Sequence, residues 1–316
     1  MVAAKLARGA AKYALTLFIA SVVIFVALRI VPGNPAEVAL GVTATPEAVA
    51  KLSATMGIDK PLWEQYVSWI GGLLRGEFGT SLTSSTDISP IVADRLQVSL
   101  ILVVLSMLFA LMLAVPLGLW AARRSGHIDG ILISALSQVG IAVPSFLAAI
   151  LFISFFAVRL RWLPTNGWSV PNEDFSGFLV RLVLPVVSLG IVQAAIMTRY
   201  VRAAVMDVMR EDFMRTARAI GLSSWQALRS HGLRNAALPV LTVTGLQLTS
   251  LLVGAVVIER VFVIPGLGSL LLTAVTNRDL PTVQTIVMIL VVLAIVVNAI
   301  VDMAYVVVDP RTRREA

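Results

Sequence analysis

Apolar residues run through this chain in six long blocks, Ala10 to Val31, Val98 to Ala122, Ile131 to Val158, Leu179 to Thr198, Ala236 to Ile258 and Gln284 to Val308. Each is about 20 residues or longer, the length an α-helix needs to cross roughly 30 Å of hydrocarbon. Barrel strands would be about half as long and would alternate in polarity. The pattern therefore predicts six membrane-spanning helices. Lys5, Arg8 and Lys12 precede the first block as in a secretory signal. That block is too long for one, and no small-x-small site precedes the Pro32-Gly33-Asn34-Pro35 break, which predicts a retained signal anchor. Pro116, Pro144 and Pro185 are expected to kink their helices.

The connecting segments predict an organisation of 1–31 (amino terminus and first span), 32–97 (a subdomain outside the membrane) and 98–316 (a five-span core carrying a loop at 199–235). In 32–97, Thr45 and Pro46 form a cap and first-turn pair. Ala48, Val49, Leu52 and Met56 then share a face, and Gly57 ends the helix. A second amphipathic segment runs from Pro61 through Trp63, Tyr66, Val67, Ile70 and Leu74 to Gly76. The alternative is an inert loop on the membrane surface, where Trp63 and Trp69 would suit an interfacial belt. The loop 159–177, with Trp162, Pro164, Gly167, Trp168 and Pro171, is irregular. In 259–284, Pro265-Gly266-Leu267-Gly268 predicts a tight turn before a short amphipathic helix through Leu270 to Ala274. No internal repeat is visible, so an inverted-repeat carrier gains no support.

Composition agrees with a polytopic membrane protein: 316 residues, 58% hydrophobic, 14% charged, with a mean hydropathy of +0.90. With no cysteine, disulfides, thiolate metal sites and cysteine nucleophiles are excluded. His127 and His231 lie singly in charged loops, so no metal site is expected. Placing the amino terminus inside gives the inner segments 15 of the 25 lysines and arginines but only 7 of the 18 acidic residues. This asymmetry predicts both termini in the cytoplasm. It explains the net charge of +7 by topology and lipid headgroups rather than nucleic acid.

Charge is sparse within the spans. Asp302 is the clear candidate, and with Asn298 it shares a helix face, read as an interhelical contact in preference to a proton relay. Pathway candidates are the uncharged polar residues Ser134, Ser137 and Gln138, Ser188 and Gln193, and Thr242, Gln247, Thr249 and Ser250. Each could equally serve as a helix–helix hydrogen bond.

The segment from Arg199 to Asn235 is longer than a simple connection needs. It keeps Phe213, Met214, Ala217, Ile220 and Leu222 among alternating charges, which suits either docking to a partner or lying on the headgroups. Gly221 can end its helix in the left-handed conformation, and the surrounding arginines can pair with carboxylates. None of the 21 glycines is followed by lysine, so the phosphate-binding G-x-x-x-x-G-K-[ST] loop is absent.

Arg215-Thr216-Ala217-Arg218-Ala219-Ile220-Gly221-Leu222, followed by His231-Gly232-Leu233-Arg234-Asn235-Ala236-Ala237-Leu238-Pro239, resembles the coupling loop of bacterial ABC importer permeases of the peptide-importing branch, R-T-A-R-A-K-G-L then H-A-L-R-N-A-L-I-P. Against the superfamily pattern E-A-A-x-x-x-G, Thr216 replaces the acidic position and Arg218 the second alanine. The resemblance extends to Pro265-Gly266-Leu267-Gly268, to Asn277-Arg278-Asp279 with Pro281 and Gln284, to Asn298, Asp302, Tyr305 and Asp309-Pro310-Arg311, to Pro32-Gly33-Asn34-Pro35, and to Trp69 through Gly79. The chain looks like the first of two permease subunits of a dipeptide or oligopeptide importer of the bacterial inner membrane. The resemblance implies a type I, binding-protein-dependent, all-α permease fold of six helices, forming half a translocation pore.

Implied partners are a second homologous permease, two cytoplasmic ATPase subunits or domains that hold ATP and magnesium, an extracytoplasmic binding protein and a peptide. No cofactor or catalytic residue is expected on this chain. Arg215, Thr216, Ala217, Arg218, Gly221 and Leu222 would couple to the ATPase. Pro265, Gly266, Arg278 and Asp279 would form an outer gate or binding-protein contact, the alternative for Arg278 being an ion pair with Asp279 or Glu259 that orders the loop. Family members importing nickel, haem or glutathione remain open. From other classes, an ion-coupled carrier lacks buried charges, and an intramembrane enzyme lacks a nucleophile–base pair within the spans.

Overall fold

The computed structural model describes residues 2–30, 35–41, 44–55 and 57–308. The break at Pro32-Gly33-Asn34, Met56, the side chains of Lys5, Arg8 and Leu52, and the carboxyl end from Asp309, with Pro310, Arg311, Arg313 and Arg314, lie outside the described residues. Among those residues almost everything is helical. Contacts group the chain into two compact units, one made of Met1–Val98 with Pro265–Ile295 and the other of Ser99–Ile264 with Val296–Ala316.

The first unit holds α1 (Val2–Ile30), α2 (Pro35–Leu40), α3 (Pro46–Thr55), α4 (Leu62–Arg75) and α12 (Leu267–Thr276). It also takes the starts of α5 (Ser89–Arg123) and α13 (Leu280–Val308). The Thr45 hydroxyl accepts the Ala48 N–H at 3.2 Å, and Gly57 follows α3 at φ +66°. These are the cap and stop expected there. Helix α4 closes on Gly76 at φ +79°, where Gly76 N–H reaches Leu73 O and Glu77 N–H reaches Gly72 O. That pair of bonds is the glycine-terminated cap that satisfies the last carbonyls of a helix. One face of α4 rests on α1: Ser21 Oγ and Tyr66 Oη are 2.7 Å apart, Phe25 meets Tyr66 edge-on, and the Arg29 guanidinium stacks on Phe25. Leu62, Trp63, Val67 and Leu74 point the other way and are exposed.

The second unit is built around α8 (Phe175–Val208), which packs against α6 (Ile128–Ala142), α7 (Ser145–Phe152) and α11 (Leu233–Val261). It also meets α5 at close range. An added Cβ at Gly118 would stand 2.6 Å from Val201 Cβ, and one at Gly190 would stand 2.8 Å from the Ser106 carbonyl. Small residues thus let helix backbones approach where the hydrophobic effect gives no drive between spans. Helix α11 in turn meets the end of α13, with Tyr305 Oη donating to Leu238 O at 3.0 Å.

Among the described residues five helices are long and apolar enough to cross a membrane, and one bent pair brings the number to six where the pair counts as a single span. The single span expected from Ile131 to Val158 is broken. Ile131 to Val158 is not one helix: α6 and α7, the latter continuing as a π-helix over Ile153–Arg159, are bent by 98° about Val143-Pro144. Proline lacks an N–H and pushes its predecessor out of the helical region, and Val143 is extended at φ −86°, ψ 119°. Pro116 and Pro185, in contrast, remain inside the unbroken helices α5 and α8.

Candidate functional site

Three groups of residues stand out, and the best formed is the segment between α8 and α11. Helix α9 (Asp212–Ala219) follows Glu211, whose extended backbone starts the helix, and Asp212 places a carboxylate in the first turn, where the helix dipole favours it. Met214 and Ala217 lie three apart on the buried face. They join Ala204, Val205 and Val208 of α8, Ala122 of α5, Ala227, Leu228 and Ala236 in one apolar cluster, with Phe213, Leu222 and Trp225 packed at its edge. The opposite face presents Arg215, Thr216, Arg218 and, past the last turn, Ile220, which is 75% exposed. Arg215 pairs with Asp212 at 3.2 Å, but both are open to solvent, so the pair adds little rigidity.

Rigidity comes from the carboxyl end of the helix and from the cap that follows it. Gly221 takes φ +99°, its N–H reaches Arg218 O at 3.0 Å, and Leu222 N–H reaches Ala217 O at 3.2 Å. Ser223 then opens α10 (Ser224–Ala227) with a reciprocal cap: Gln226 N–H donates to Ser223 Oγ, and Ser223 N–H donates to Gln226 Oε1. The Arg123 guanidinium covers the Trp225 ring at 5.3 Å. A π-turn over Leu228–Gly232 leads into α11, and a Cβ on Gly232 would meet Leu228 Cδ1 at 2.7 Å and Val208 Cγ1 at 3.1 Å. Of the residues singled out from sequence, Arg215, Thr216, Arg218 and Gly221 are presented outward, whereas Ala217 and half-buried Leu222 seat the helix on its own unit. Of the five apolar residues that the sequence offered for docking, Met214 and Ala217 are buried, Phe213 and Leu222 are half-buried, and Ile220 is the exposed one.

The pathway candidates are not brought together as one lining. Ser137, Thr242 and Thr249 give their hydroxyls to the carbonyls of Ile133, Leu238 and Gly245 one turn earlier in their own helices. Ser134 does the same to Gly130, while Gln138 and Ser250 are exposed and Gln247 is half-buried. Ser188 and Gln193 of α8 are buried, and Ser188 Oγ and Gln193 Nε2 have no hydrogen-bond partner among the described residues. A buried charge within a spanning helix was missed: Glu259, near the end of α11, is 1% exposed and accepts from Ser99 Oγ. Its position beyond the apolar block, next to Arg260, had made it look like loop. Asp302 and Asn298 are exposed on this chain.

The third group surrounds the turn between α11 and α13. Gly266 precedes α12 in extended conformation and is buried, and Pro265 is half-buried. Arg278 ends α12 in the left-handed region at φ 55°, with Arg278 N–H on Val275 O and Asp279 N–H on Ala274 O. The ion pair considered from sequence does not form: Arg278 is exposed and has no salt-bridge partner among the described residues. Asp279, expected beside it as an outward contact, is instead buried, its carboxylate occupied by Ser81 Oγ at 2.5 Å, Leu82 N–H at 3.1 Å and Thr282 Oγ1 at 2.8 Å. Before α8, the Gly177 N–H and the Ser176 hydroxyl hold the Asp174 carboxyl below its ordinary value.

The chain is thus a set of long apolar helices with one loop that carries a short helix, closed at its carboxyl end by Gly221 and exposing a basic face. Residues 114–314 match the family described as binding-protein-dependent transport system inner membrane component, and residues 3–103 match its amino-terminal component, so the chain belongs to this family. It is 38% identical over 290 residues to a probable peptide ABC transporter permease of Sinorhizobium fredii, y4tP, covering 92% of this chain and 93% of that one. To the oligopeptide transport system permease AppB of Bacillus subtilis it is 36% identical, covering 91% and 92%. Identity is also 36% to the glutathione transport system permease GsiC of Escherichia coli, covering 94% and 95%. Among solved structures, a chain of the MetNI methionine ABC transporter aligns with a TM-score of 0.57 at 17% identity, covering 70% of this chain and 98% of that one. The architecture is that of a type I ABC importer permease, and the chain is a multi-pass membrane permease subunit.

Proposed function

We propose that this chain forms one half of a pore that imports peptides at the expense of ATP hydrolysed on separate subunits. The observation that carries the reading is the α9 knob: a helix seated by Met214 and Ala217, locked at Gly221 and Ser223, with Arg215, Thr216, Arg218 and Ile220 left for another surface. A loop lying passively on headgroups would not need a buried seat, a glycine-closed carboxyl end and a reciprocal cap on the helix that follows. Docked in a cleft of an ATPase, the knob transmits motion through α8 and α11, the two helices whose ends build its seat. The excess of basic residues supports a cytoplasmic position for this loop and both termini.

The remaining parts follow. A second homologous permease completes the pore, two ATPase subunits or domains hold ATP and magnesium, and a binding protein delivers peptide outside, at the surface that includes Arg278. Di- and oligopeptides, the tripeptide glutathione among them, are the substrate class. The test is to reconstitute the permease pair with its ATPases. Ile220→Asp should leave assembly and ATP hydrolysis in place while abolishing most uptake. Wild-type uptake by that variant would refute coupling through the knob.

A further inference from the structure

Asp279 is a carboxylate that is 4% exposed and pairs with no cation among the described residues. Burying a charge is costly unless donors surround it, and here three do. Oδ2 accepts from Ser81 Oγ and Thr282 Oγ1, and Oδ1 accepts from Leu82 N–H. Two of the donors come from a turn nearly 200 residues away along the chain, while Thr282 belongs to the first turn of α13, where the helix dipole also favours a negative charge. A second bond runs parallel, from Thr285 Oγ1 to Phe78 O at 3.0 Å. Ile88 just before α5, Val92 of α5, Leu267 of α12 and Ile286 of α13 share an apolar cluster.

The turn held in this way is itself ordered. Ser81 N–H bonds Thr86 O, Ile88 N–H bonds Gly79 O, and Asp87 caps α5 through Ser89. Its tip, Thr83 to Asp87, is exposed. Arg278, immediately before the clasping carboxylate, is exposed too and held in a left-handed conformation that a non-glycine residue takes only when its surroundings fix it.

We propose that Asp279 is a positioning residue. Its carboxylate clasps the 79–88 turn to the first turn of α13 and fixes the Arg278 corner, so that turn and corner form one preorganised surface on which the exposed Arg278 meets a carboxylate of an extracytoplasmic binding protein. This rests on the importer reading for its partner, whereas the clasp itself does not. The geometry separates a clasp from a charged contact. In Asp279→Asn the amide oxygen can still accept from Leu82 N–H and the amide NH2 can donate to the Thr282 hydroxyl, which rotates to accept, so two of the three bonds persist; only the Ser81 bond is given up, because Ser81 Oγ already accepts from the Thr83 and Ser84 N–H groups. Asn therefore preserves a clasp and abolishes a charge; Ala abolishes both.

The test uses the assembled complex with a single cysteine at Leu82, a half-buried position in a chain with no natural cysteine, and a membrane-impermeant maleimide. Asp279→Ala should speed labelling about tenfold, Asp279→Asn should stay within about twofold of the parent, and Ser81→Ala should fall between them. A reporter cysteine at Asn172 should label equally in all variants, excluding global unfolding. In ATPase assays titrated with the system's purified binding protein, the half-saturating concentration should rise about tenfold for Asp279→Ala, with the maximal rate retained, and stay near the parent for Asp279→Asn.

If Asn behaves like Ala, the charge itself makes the contact and the positioning role is overturned. Unchanged labelling in Asp279→Ala, or faster labelling with no change in half-saturation, overturns it as well. If the parent labels only in inverted vesicles, or is not stimulated by binding protein, the importer reading fails, and the labelling ratio between Ala and Asn still judges the clasp.

Discussion

Ser99 donates its hydroxyl to Glu259 across 2.5 Å, so that a buried carboxylate near the end of one span is held by the third turn of another within the same packed unit. The next turn of chain repeats the theme in backbone: Ile264 N–H reaches Glu259 O, Val263 is left-handed at φ 53°, and Gly167 N–H reaches Phe262 O. Glu259 thus fixes where the fifth span stops. Ser99→Ala should lower the stability of the detergent-solubilised complex by about 0.5–2 kcal/mol, the range of hydrogen bonds between spans. Glu259→Ala should cost more than Ser99→Ala, since it also leaves a cavity. Unfolding midpoints followed by tryptophan fluorescence check this, and equal stability of all three proteins would refute it.

The knob makes a split prediction along one short helix. Ala217 faces its own unit, so Ala217→Asp would bury a carboxylate without a partner. Yield of folded permease should collapse in that variant. Arg218→Glu, on the exposed face, should fold normally and weaken copurification of the ATPase. Size-exclusion profiles of the two variants decide the matter, and the reverse ranking would mean that the partner meets the other face.

Much of this was legible in the chain and some was not, for physical reasons. Apolar block length specified the spans, and Gly57, Gly76 and Gly221 marked helix ends because each does adopt a positive φ. The break at Pro144 was visible only as a kink, because proline tells where a helix is weakened and not how far its halves turn. Glu259 and Asp279 were misjudged by a shared cause. A carboxylate at the edge of an apolar block reads as solvent-facing, and the donors that bury it, Ser99 for one and Ser81 with Leu82 for the other, are remote in sequence and leave no periodic trace.

Topology rests on the basic-residue asymmetry and is open to direct labelling. Cysteines at Ser85 and Asn172, both in loops on the expected outer side, should react with an impermeant thiol reagent on sealed cells. One at Ser223, beside the knob, should react only after the membrane is opened. Labelling at Ser223 in sealed cells would reverse the orientation.

The start of α8 should respond to acid. Gly177 N–H first and the Ser176 hydroxyl second stabilise ionised Asp174, lowering its carboxyl below the ordinary value of 3.8. Stabilisation by this cap is complete above that ordinary value and is lost as pH falls through the lowered one. Hydrogen exchange at the Gly177 amide, corrected for its intrinsic pH dependence, should lose protection only in that acid window. Asp174→Ala should lack protection at neutral pH and show no acid step.

The most direct test of the whole account is uptake of a radiolabelled dipeptide or tripeptide into proteoliposomes, with the binding protein on the delivery side. The account predicts uptake only when the second permease, the ATPases and ATP are all present, with none from this chain alone under a proton or sodium gradient. Gradient-driven uptake by the isolated chain without ATP would contradict it.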